Sequence, residues 1–213
     1  MQSIKNDAAA CCPHQCEPFD VEYWSFVSAE QNPDLQSAAL NGELNLVRCP
    51  TCGQFFHHDG DLIYFDASAE LLIFVFAEKN ASKKKEILSR MQRDYQIIKN
   101  TLLAELKMDY PPLSVFGLES LKTILQQEEQ IVFEAEAVAA SAAEQGFGVG
   151  RLKPSYAREH HFPYYIPLPA KGTTPQDYAV AAAKVLRGGI KSKLLRNFAD
   201  QMSQEGANIP LIL

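Results

Sequence analysis

The sequence predicts an α+β protein in which a small antiparallel sheet packs on long α-helices and a helical C-terminal appendage follows. Three observations lead to this fold class. Apolar residues alternate with polar ones between residues 17 and 77, they recur at steps of three and four from residue 80 onward, and all cysteines lie within the first 52 residues. Alternation is typical of half-buried strands, and the longer spacing is typical of amphipathic helices. The clustered cysteines indicate a metal site near the start of the chain.

The composition is that of a folded globular protein. The chain has 213 residues, of which 46% are hydrophobic and 22% charged, so it can bury a sizeable core. Its formal net charge of -6 disfavours broad attraction to nucleic acid or anionic lipid. The sequence contains neither a recognisable signal peptide nor an apolar window of roughly 18 residues. We therefore expect a cytoplasmic protein with reduced cysteines and no membrane contact.

Three segments are predicted to form the sheet. Residues 17–27 and 42–48 each alternate apolar and polar side chains, and residues 62–76 predict a hairpin that turns at residues 66–69. The alternation places Phe19, Val21 and Tyr23 on one face of the first strand, and Leu44 and Leu46 on one face of the second.

Two long helical segments are predicted after the sheet. A helix in residues 80–110 can be capped by Asn80 or Ser82 and must end at Pro111. Its apolar stripe consists of Leu88, Met91, Tyr95, Ile98, Leu102 and Leu106. After a short extended piece, residues 118–145 contain neither glycine nor proline and are rich in alanine and glutamate, which predicts one long helix or two abutting helices.

The segment of residues 146–175 is rich in glycine, proline and aromatic residues. This composition favours a linker or docking arm with one strand at residues 164–168. The predicted organisation is therefore a knuckle-bearing sheet with helices (8–145), a linker or docking arm (146–175) and a helical tail (176–213).

The tail is predicted to contain two helices. Thr174 and Pro175 begin the first, a glycine pair ends it, and residues 190–204 form the second. The apolar residues 209–213 are suited to docking on a partner or a second copy. A local basic cluster could touch phosphate or an acidic protein, although a solvated helix face explains it equally. That cluster consists of Lys184, Arg187, Lys191, Lys193 and Arg196.

Two cysteine pairs carry the chemistry that the sequence predicts, Cys12-Pro-His-Gln-Cys16 and Cys49-Pro-Thr-Cys52-Gly53. In such knuckles a tight turn aims backbone N–H groups at the sulfurs, and four thiolates complete a closed tetrahedral Zn²⁺ shell. We expect one structural zinc per chain, held by these four cysteines in a zinc-ribbon-like sheet. Because four thiolates leave no open position for water, the metal is not expected to be catalytic.

The region around the second pair reads VEYWSFVSAEQNPDLQSAALNGELNLVRCPTCGQFF. Its strand, Asn-Pro-x-Leu helix, Asn-Gly-Glu-Leu turn and knuckle resemble, in that order, the CpXC domain family, which is named for its Cys-Pro-x-Cys pairs. The resemblance covers roughly residues 12–126. It implies a presumed zinc-binding module of bacterial proteins with no assigned biochemical function.

The resemblance also bears on the ligands. Cys12, Cys49 and Cys52 fall on motif positions of the family. The fourth family cysteine would fall at Gln15, whereas this chain has Cys16. Cys16 is the expected fourth ligand because three intervening residues are within the usual spacing of a knuckle. The alternatives for this ligand are Cys11 and His14.

Other interpretations of the cysteines stay open at the level of sequence. The thiols can be buried and inert, or disulfide-bonded, or Cys49 and Cys52 can form a redox dithiol. A redox pair normally opens a helix in a βαβ unit, and here the strand-like segment QFFHH follows.

Several further motifs were considered as sites. His57-His58 with Asp59 and Asp61 offers a second metal site, and His160-His161 with Glu159 offers a base or ligand. The glycines of residues 146–151 allow a phosphate-binding turn, but a phosphate loop should follow a strand. Aromatic residues around Trp24 and Phe55 offer a stacking surface, although alternating aromatics more often form a core.

The functional prediction is a non-catalytic, zinc-stabilised protein–protein interaction or complex-assembly protein with a protein partner or self-association. No hydrolase elbow, zinc-protease motif or Walker-type loop appears in the sequence. The alternatives are a nucleic-acid-associated zinc-ribbon protein and an enzyme with its site in the 146–175 loop.

Overall fold

The computed structural model describes residues 2–101, 110–204 and 211–212. The chain divides into two compact units, unit 1 (Met1–Gln126) and unit 2 (Gln127–Leu213). Two members of the predicted stripe, Leu102 and Leu106, lie outside the described residues, as does most of the apolar tail. Within the described residues, no helix combines the length and apolarity needed to cross a membrane.

Unit 1 is built on a five-stranded sheet and a separate two-stranded ribbon. The sheet has the strand order β1-β2-β5-β6-β7, and β3 pairs with β4 in the ribbon. The strands are β1 (Ile4–Ala10), β2 (Phe19–Ser28), β3 (Leu46–Arg48), β4 (Phe55–His57), β5 (Leu62–Asp66), β6 (Leu71–Phe76) and β7 (Leu113–Phe116).

The sheet is mixed, and in this it differs from the antiparallel sheet that the sequence suggested. β1 and β2 are antiparallel, as are β5 and β6, which form the predicted hairpin. β2 and β5 run parallel, and so do β6 and β7. Long connections join β2 to β5 and β6 to β7, and they explain the difference. Only a short turn forces two neighbouring strands to be antiparallel.

Helices cover both faces of this sheet. They are α1 (Pro33–Asn41), α2 (Lys84–Thr101), which follows a 3-10 turn (Glu78–Lys83), and the first part of α3 (Leu118–Glu144). One face packs Tyr64 and Ile73 against Leu121 and Leu125 of α3. On the other face, Phe74 belongs to a cluster that includes residues of α2, namely Met91 and Tyr95. Of the two predicted possibilities for residues 118–145, one long helix or two abutting helices, the structure has one continuous helix, α3.

Unit 2 contains the rest of α3, three more helices and a small antiparallel sheet with the order β10-β8-β9. The elements are β8 (Gly148–Leu152), α4 (Pro154–His160), β9 (Tyr165–Leu168), α5 (Pro175–Arg187), α6 (Lys193–Gln204) and β10 (Leu211–Ile212). β9 overlaps the strand that the sequence predicted, whereas β8 and α4 were not predicted.

The segment of residues 146–175 contributes to the core of unit 2. Leu152, Phe162 and Ile166 are essentially inaccessible and pack with Val138 of α3 and Phe198 of α6. Two units of strands and helices, each with a buried apolar cluster, make an α+β protein, so the predicted fold class is confirmed.

Candidate metal centre

The structure brings the four predicted cysteines of unit 1 into one cluster. The sulfurs of Cys12, Cys16, Cys49 and Cys52 all lie within 4.8 Å of one another, and those of Cys12 and Cys52 are 3.6 Å apart. A tetrahedral shell with Zn–S bonds of about 2.3 Å has sulfur–sulfur edges of about 3.8 Å. The cluster therefore has the size that a Zn²⁺ ion requires. Cys11 and His14 do not belong to it.

The first knuckle connects β1 to β2. The backbone N–H of Gln15 donates to the carbonyl of Cys12 at 2.9 Å, which closes a tight turn. Gln15 has a left-handed φ of 59°, an uncommon conformation for a residue with a side chain. This turn places Cys16 in the cluster and accommodates the extra residue of the first pair.

The second knuckle is the turn of the β3–β4 ribbon. The N–H of Gly53 donates to the carbonyl of Cys49, and the N–H of Cys49 donates to the carbonyl of Gln54, both at 2.9 Å. Gly53 has a φ of 75°, which glycine adopts without steric cost. The Cys49–Cys52 pair therefore lies in a turn between strands, unlike a redox pair at the start of a helix.

Backbone N–H groups and burial set the thiol chemistry. The N–H groups of Cys52 and Thr51 donate to the Cys49 sulfur and, against the opposing effect of burial, lower its pKa to about 6. Burial, followed by the neighbouring thiols, raises the pKa of Cys16 to about 12, and burial also raises that of Cys12. One thiolate is thus favoured by the turn, whereas the raised pKa values of Cys12 and Cys16 mean that these two thiols need a bound cation to ionise near neutral pH.

The accessibility of the sulfurs indicates what the cluster can do. Cys12 and Cys49 are buried, Cys16 is half-buried and Cys52 is exposed, and none of them is in a disulfide. Four sulfurs at these distances complete a tetrahedral shell without a position for water. Such a centre can fix the two knuckles to each other, whereas it cannot activate a water molecule.

The residues considered as a second metal site are held apart in loop contacts. His57 Nε2 lies 2.7 Å from the carbonyl of Gly42, and His58 packs on the ring of Tyr23. Asp59 and Asp61 accept hydrogen bonds from the backbone N–H groups of Glu78 and Ala77, respectively. These side chains do not converge on a common point.

The histidine pair of unit 2 also has structural contacts. The ring of His160 stacks against those of Tyr156 and Phe162, and the carbonyls of His160 and His161 both accept hydrogen bonds from Asn197. His161 ends α4 in a left-handed conformation. The Gly146 turn likewise ends α3 before β8 begins.

One surface next to the cysteines combines Phe55, which the sequence offered as a stacking residue, with two neighbours that the sequence did not group with it. On the outer face of the ribbon, Leu46 and Phe55 are 43% and 57% exposed, and the guanidinium of Arg48 lies 5.9 Å from the Phe55 ring centroid. Strand alternation grouped Leu46 with Leu44, but only Leu44 is buried. The ribbon is separate from the main sheet, and the described part of the chain leaves Leu46 and Phe55 exposed.

Comparison with known protein families gives a match over most of unit 1 and the first residues of unit 2. The family described as CpXC protein matches residues 11–133, more than half of the chain and a range that includes all four clustered cysteines. No curated protein and no solved structure matches the chain. The resemblance that the sequence predicted is confirmed, and the chain belongs to the CpXC family.

Proposed function

We propose that Cys12, Cys16, Cys49 and Cys52 hold one structural Zn²⁺ per chain, and that this unit takes part in non-catalytic protein–protein interaction or complex assembly. The observation that carries the proposal is the closed arrangement of four sulfurs within 4.8 Å of one another. A closed tetrathiolate site contributes folding free energy and offers no open coordination position. The ion would fasten the β1–β2 connection to the turn of the β3–β4 ribbon.

The ribbon next to the cysteines supplies a surface that suits a protein partner. Phe55 and Leu46 are exposed on its outer face, and Arg48 lies against the Phe55 ring. Aromatic and arginine side chains are enriched at the energetic centres of protein interfaces. A rigid, metal-fastened turn would present these side chains without a large loss of conformational entropy on binding.

The metal half is tested by elemental analysis together with a count of free thiols before and after chelation. We expect one zinc per chain in the wild type and in Cys11→Ser, because Cys11 is exposed and outside the cluster. Cys49→Ser should lose the metal and should unfold unit 1. A metal-free protein whose Cys49 and Cys52 form and break a disulfide would overturn the proposal in favour of an oxidoreductase.

The interaction half is tested with immobilised protein. We expect proteins retained by the wild type to be lost with Phe55→Ala, while Cys11→Ser retains them and both variants keep one zinc per chain. Retention unchanged by Phe55→Ala and by Leu46→Ser would remove the ribbon as the contact surface.

A nucleic-acid role is the second candidate, because the Arg48–Phe55 pair also suits base stacking beside a phosphate. The net charge of -6 opposes it. Fluorescence anisotropy with single-stranded oligonucleotides would decide, since genuine phosphate contacts weaken steeply as salt rises. Binding that falls with salt and is lost in Phe55→Ala would favour this candidate, and absence of binding at low salt would exclude it.

A further inference from the structure

Unit 2 presents an exposed aromatic side chain on α3. Phe133 is 76% exposed and Val132 is 39% exposed, although the opposite side of the same helix is buried through Ala135 and Val138. Ala137 and Ala140, which follow Phe133 by one and two helical turns, are exposed and small. The ring therefore stands above its surroundings. With this exposure the ring contributes little to the core of unit 2 and is accessible to a partner.

The surroundings of this ring are acidic. Glu129 and Glu136 lie about one turn before and after Phe133 on the same side of α3, and both are exposed. α3 carries no lysine or arginine after Lys122. Within the described part of the chain, neither glutamate forms an ion pair or a side-chain hydrogen bond. The knob, as we call Phe133 with Glu129 and Glu136, is thus apolar at its centre and negative at its rim.

The same unit contains a groove of about 310 Å³ beside α5. Its apolar lining consists of Phe147, Pro169, Ala170, Val180 and Ala181. A cavity of about 150 Å³ is enough to bind a benzene ring. The groove is therefore large enough to receive a phenyl side chain.

The rim of the groove is basic. Lys171 and Lys184 line it, and neither forms an ion pair with any described residue. The acidic side chain in the lining, Asp177, turns to the start of α5, where its Oδ2 accepts from the N–H and the hydroxyl of Thr174 at 3.0 and 2.6 Å. The groove thus has two cations and one capped carboxylate around an apolar centre, and its net charge is opposite to that of the knob.

We propose that Phe133 of one copy of this chain inserts into the groove of a second copy, where Lys171 and Lys184 face Glu129 and Glu136. Opposite charges around an apolar contact favour this pairing over others. Pairing of two α3 helices is disfavoured, because it would set glutamates against glutamates. The contact uses different surfaces on the two copies, so it is head-to-tail, and each copy keeps one free knob or groove. The inference goes beyond the proposed function, because it uses surfaces of unit 2 and not the ribbon, and it adds a second copy of this chain as a partner.

Sedimentation velocity of the purified protein at rising concentration tests the contact. We expect the mass of the wild type to rise above the 23.7 kDa of one chain and to fall back as salt is added. Phe133→Ala and Lys184→Glu should each stay at the mass of one chain. Phe55→Ala truncates an exposed phenylalanine of unit 1 and should assemble like the wild type.

Mixing the variants makes the test specific. Phe133→Ala retains an intact groove and Lys184→Glu retains an intact knob, so an equimolar mixture should form pairs that stop at two copies. A chain with both Glu136→Lys and Lys184→Glu should regain assembly. The lysine at position 136 of one copy then faces the glutamate at position 184 of the next, so this pair keeps its attraction with the two charges exchanged. Circular dichroism checks that each variant is folded.

Three results would overturn the inference: a wild type that stays at one chain at every concentration, assembly unchanged by Phe133→Ala, or no pairs in the mixture. Loss of assembly in Phe55→Ala, with Phe133→Ala unaffected, would move the contact to the ribbon and would support the proposed function without this groove. Zinc content measured on the same samples reports the metal site separately. A monomer with one zinc therefore contradicts only the contact.

Discussion

The hydroxyl of Tyr164 donates a hydrogen bond to the carboxylate of Glu128, and both side chains are buried in unit 2. Arg158 Nη1 lies 3.2 Å from Glu128 Oε1 and 3.0 Å from the Tyr164 oxygen, so the guanidinium bonds to both of the other side chains. Glu128 lies on α3, Arg158 on α4, and Tyr164 precedes β9. The network therefore ties three elements of the unit through a buried charge.

Removal of the Arg158 guanidinium should lower the free energy of unfolding more than removal of the Tyr164 hydroxyl. In Arg158→Met the buried carboxylate of Glu128 loses its ion pair with Arg158, which we expect to cost about 3 kcal/mol of unfolding free energy. Tyr164→Phe leaves that pair in place and should cost about 1 kcal/mol. Urea unfolding followed by circular dichroism measures both values. Equal losses in the two variants would contradict the role given to the ion pair.

The same tyrosine gives a pH dependence. Burial and then the charge of Glu128 raise the pKa of Tyr164 well above its ordinary value of 10.0, so above that pH the unfolded chain releases a proton that the folded chain keeps. Below pH 10.0 Tyr164 contributes no pH dependence to the free energy of unfolding. As the pH rises further, this group lowers the free energy of unfolding by up to about 1.4 kcal/mol per pH unit. Urea unfolding at increasing alkaline pH should show a weaker decline in Tyr164→Phe than in the wild type. Tyr165→Phe is the neighbouring control, and an identical decline in all three proteins would exclude Tyr164 as its source.

The start of α6 depends on a buried serine. The Ser192 hydroxyl donates to Glu134 Oε1 at 2.5 Å and accepts from the N–H of Leu195 at 2.9 Å. Ser192→Ala removes this cap and one partner of the glutamate, and we expect a loss of about 1.5 kcal/mol. Thr174→Ala, which removes the exposed cap of α5, should cost about 1 kcal/mol or less. Urea unfolding ranks the two variants, and a larger loss in Thr174→Ala would show that burial does not decide the value of these caps.

Local sequence was sufficient where one segment dictates its own structure. The hairpin at residues 66–69 was predicted because two apolar runs flank a short polar turn, and Asp66 indeed pairs with Leu71. Thr174 and Pro175 marked the start of α5 for a similar reason, since a capping side chain and a fixed φ act on the adjacent turn alone. The clustering of the four cysteines followed from the spacing within each pair.

The features that the sequence did not reveal depend on contacts with other segments of the same chain. β1 is exposed along most of its length and has no apolar alternation, so pairing with β2 fixes it as a strand. The glycine-rich β8 is likewise held between β9 and β10. The groove beside α5 depends on Phe147, which is distant from α5 in sequence and meets it only in the folded unit.

The conformation of Gly53 links backbone geometry to metal affinity. Its φ of 75° is costly for a residue with a Cβ, although an added Cβ would meet Arg48 Nη2 only at an ordinary contact distance of 3.5 Å. Gly53→Ala should therefore cost about 1 kcal/mol through the backbone and, if the cysteines hold zinc, should weaken binding, because the turn would no longer direct N–H groups at the Cys49 sulfur. Gly146→Ala is the matched control, since Gly146 has a φ of 78° with open space around its Cβ position and lies in unit 2. Competition for zinc with a chelator should distinguish the two, and equal zinc affinities in Gly53→Ala and Gly146→Ala would mean that the second knuckle does not need this turn to bind its metal.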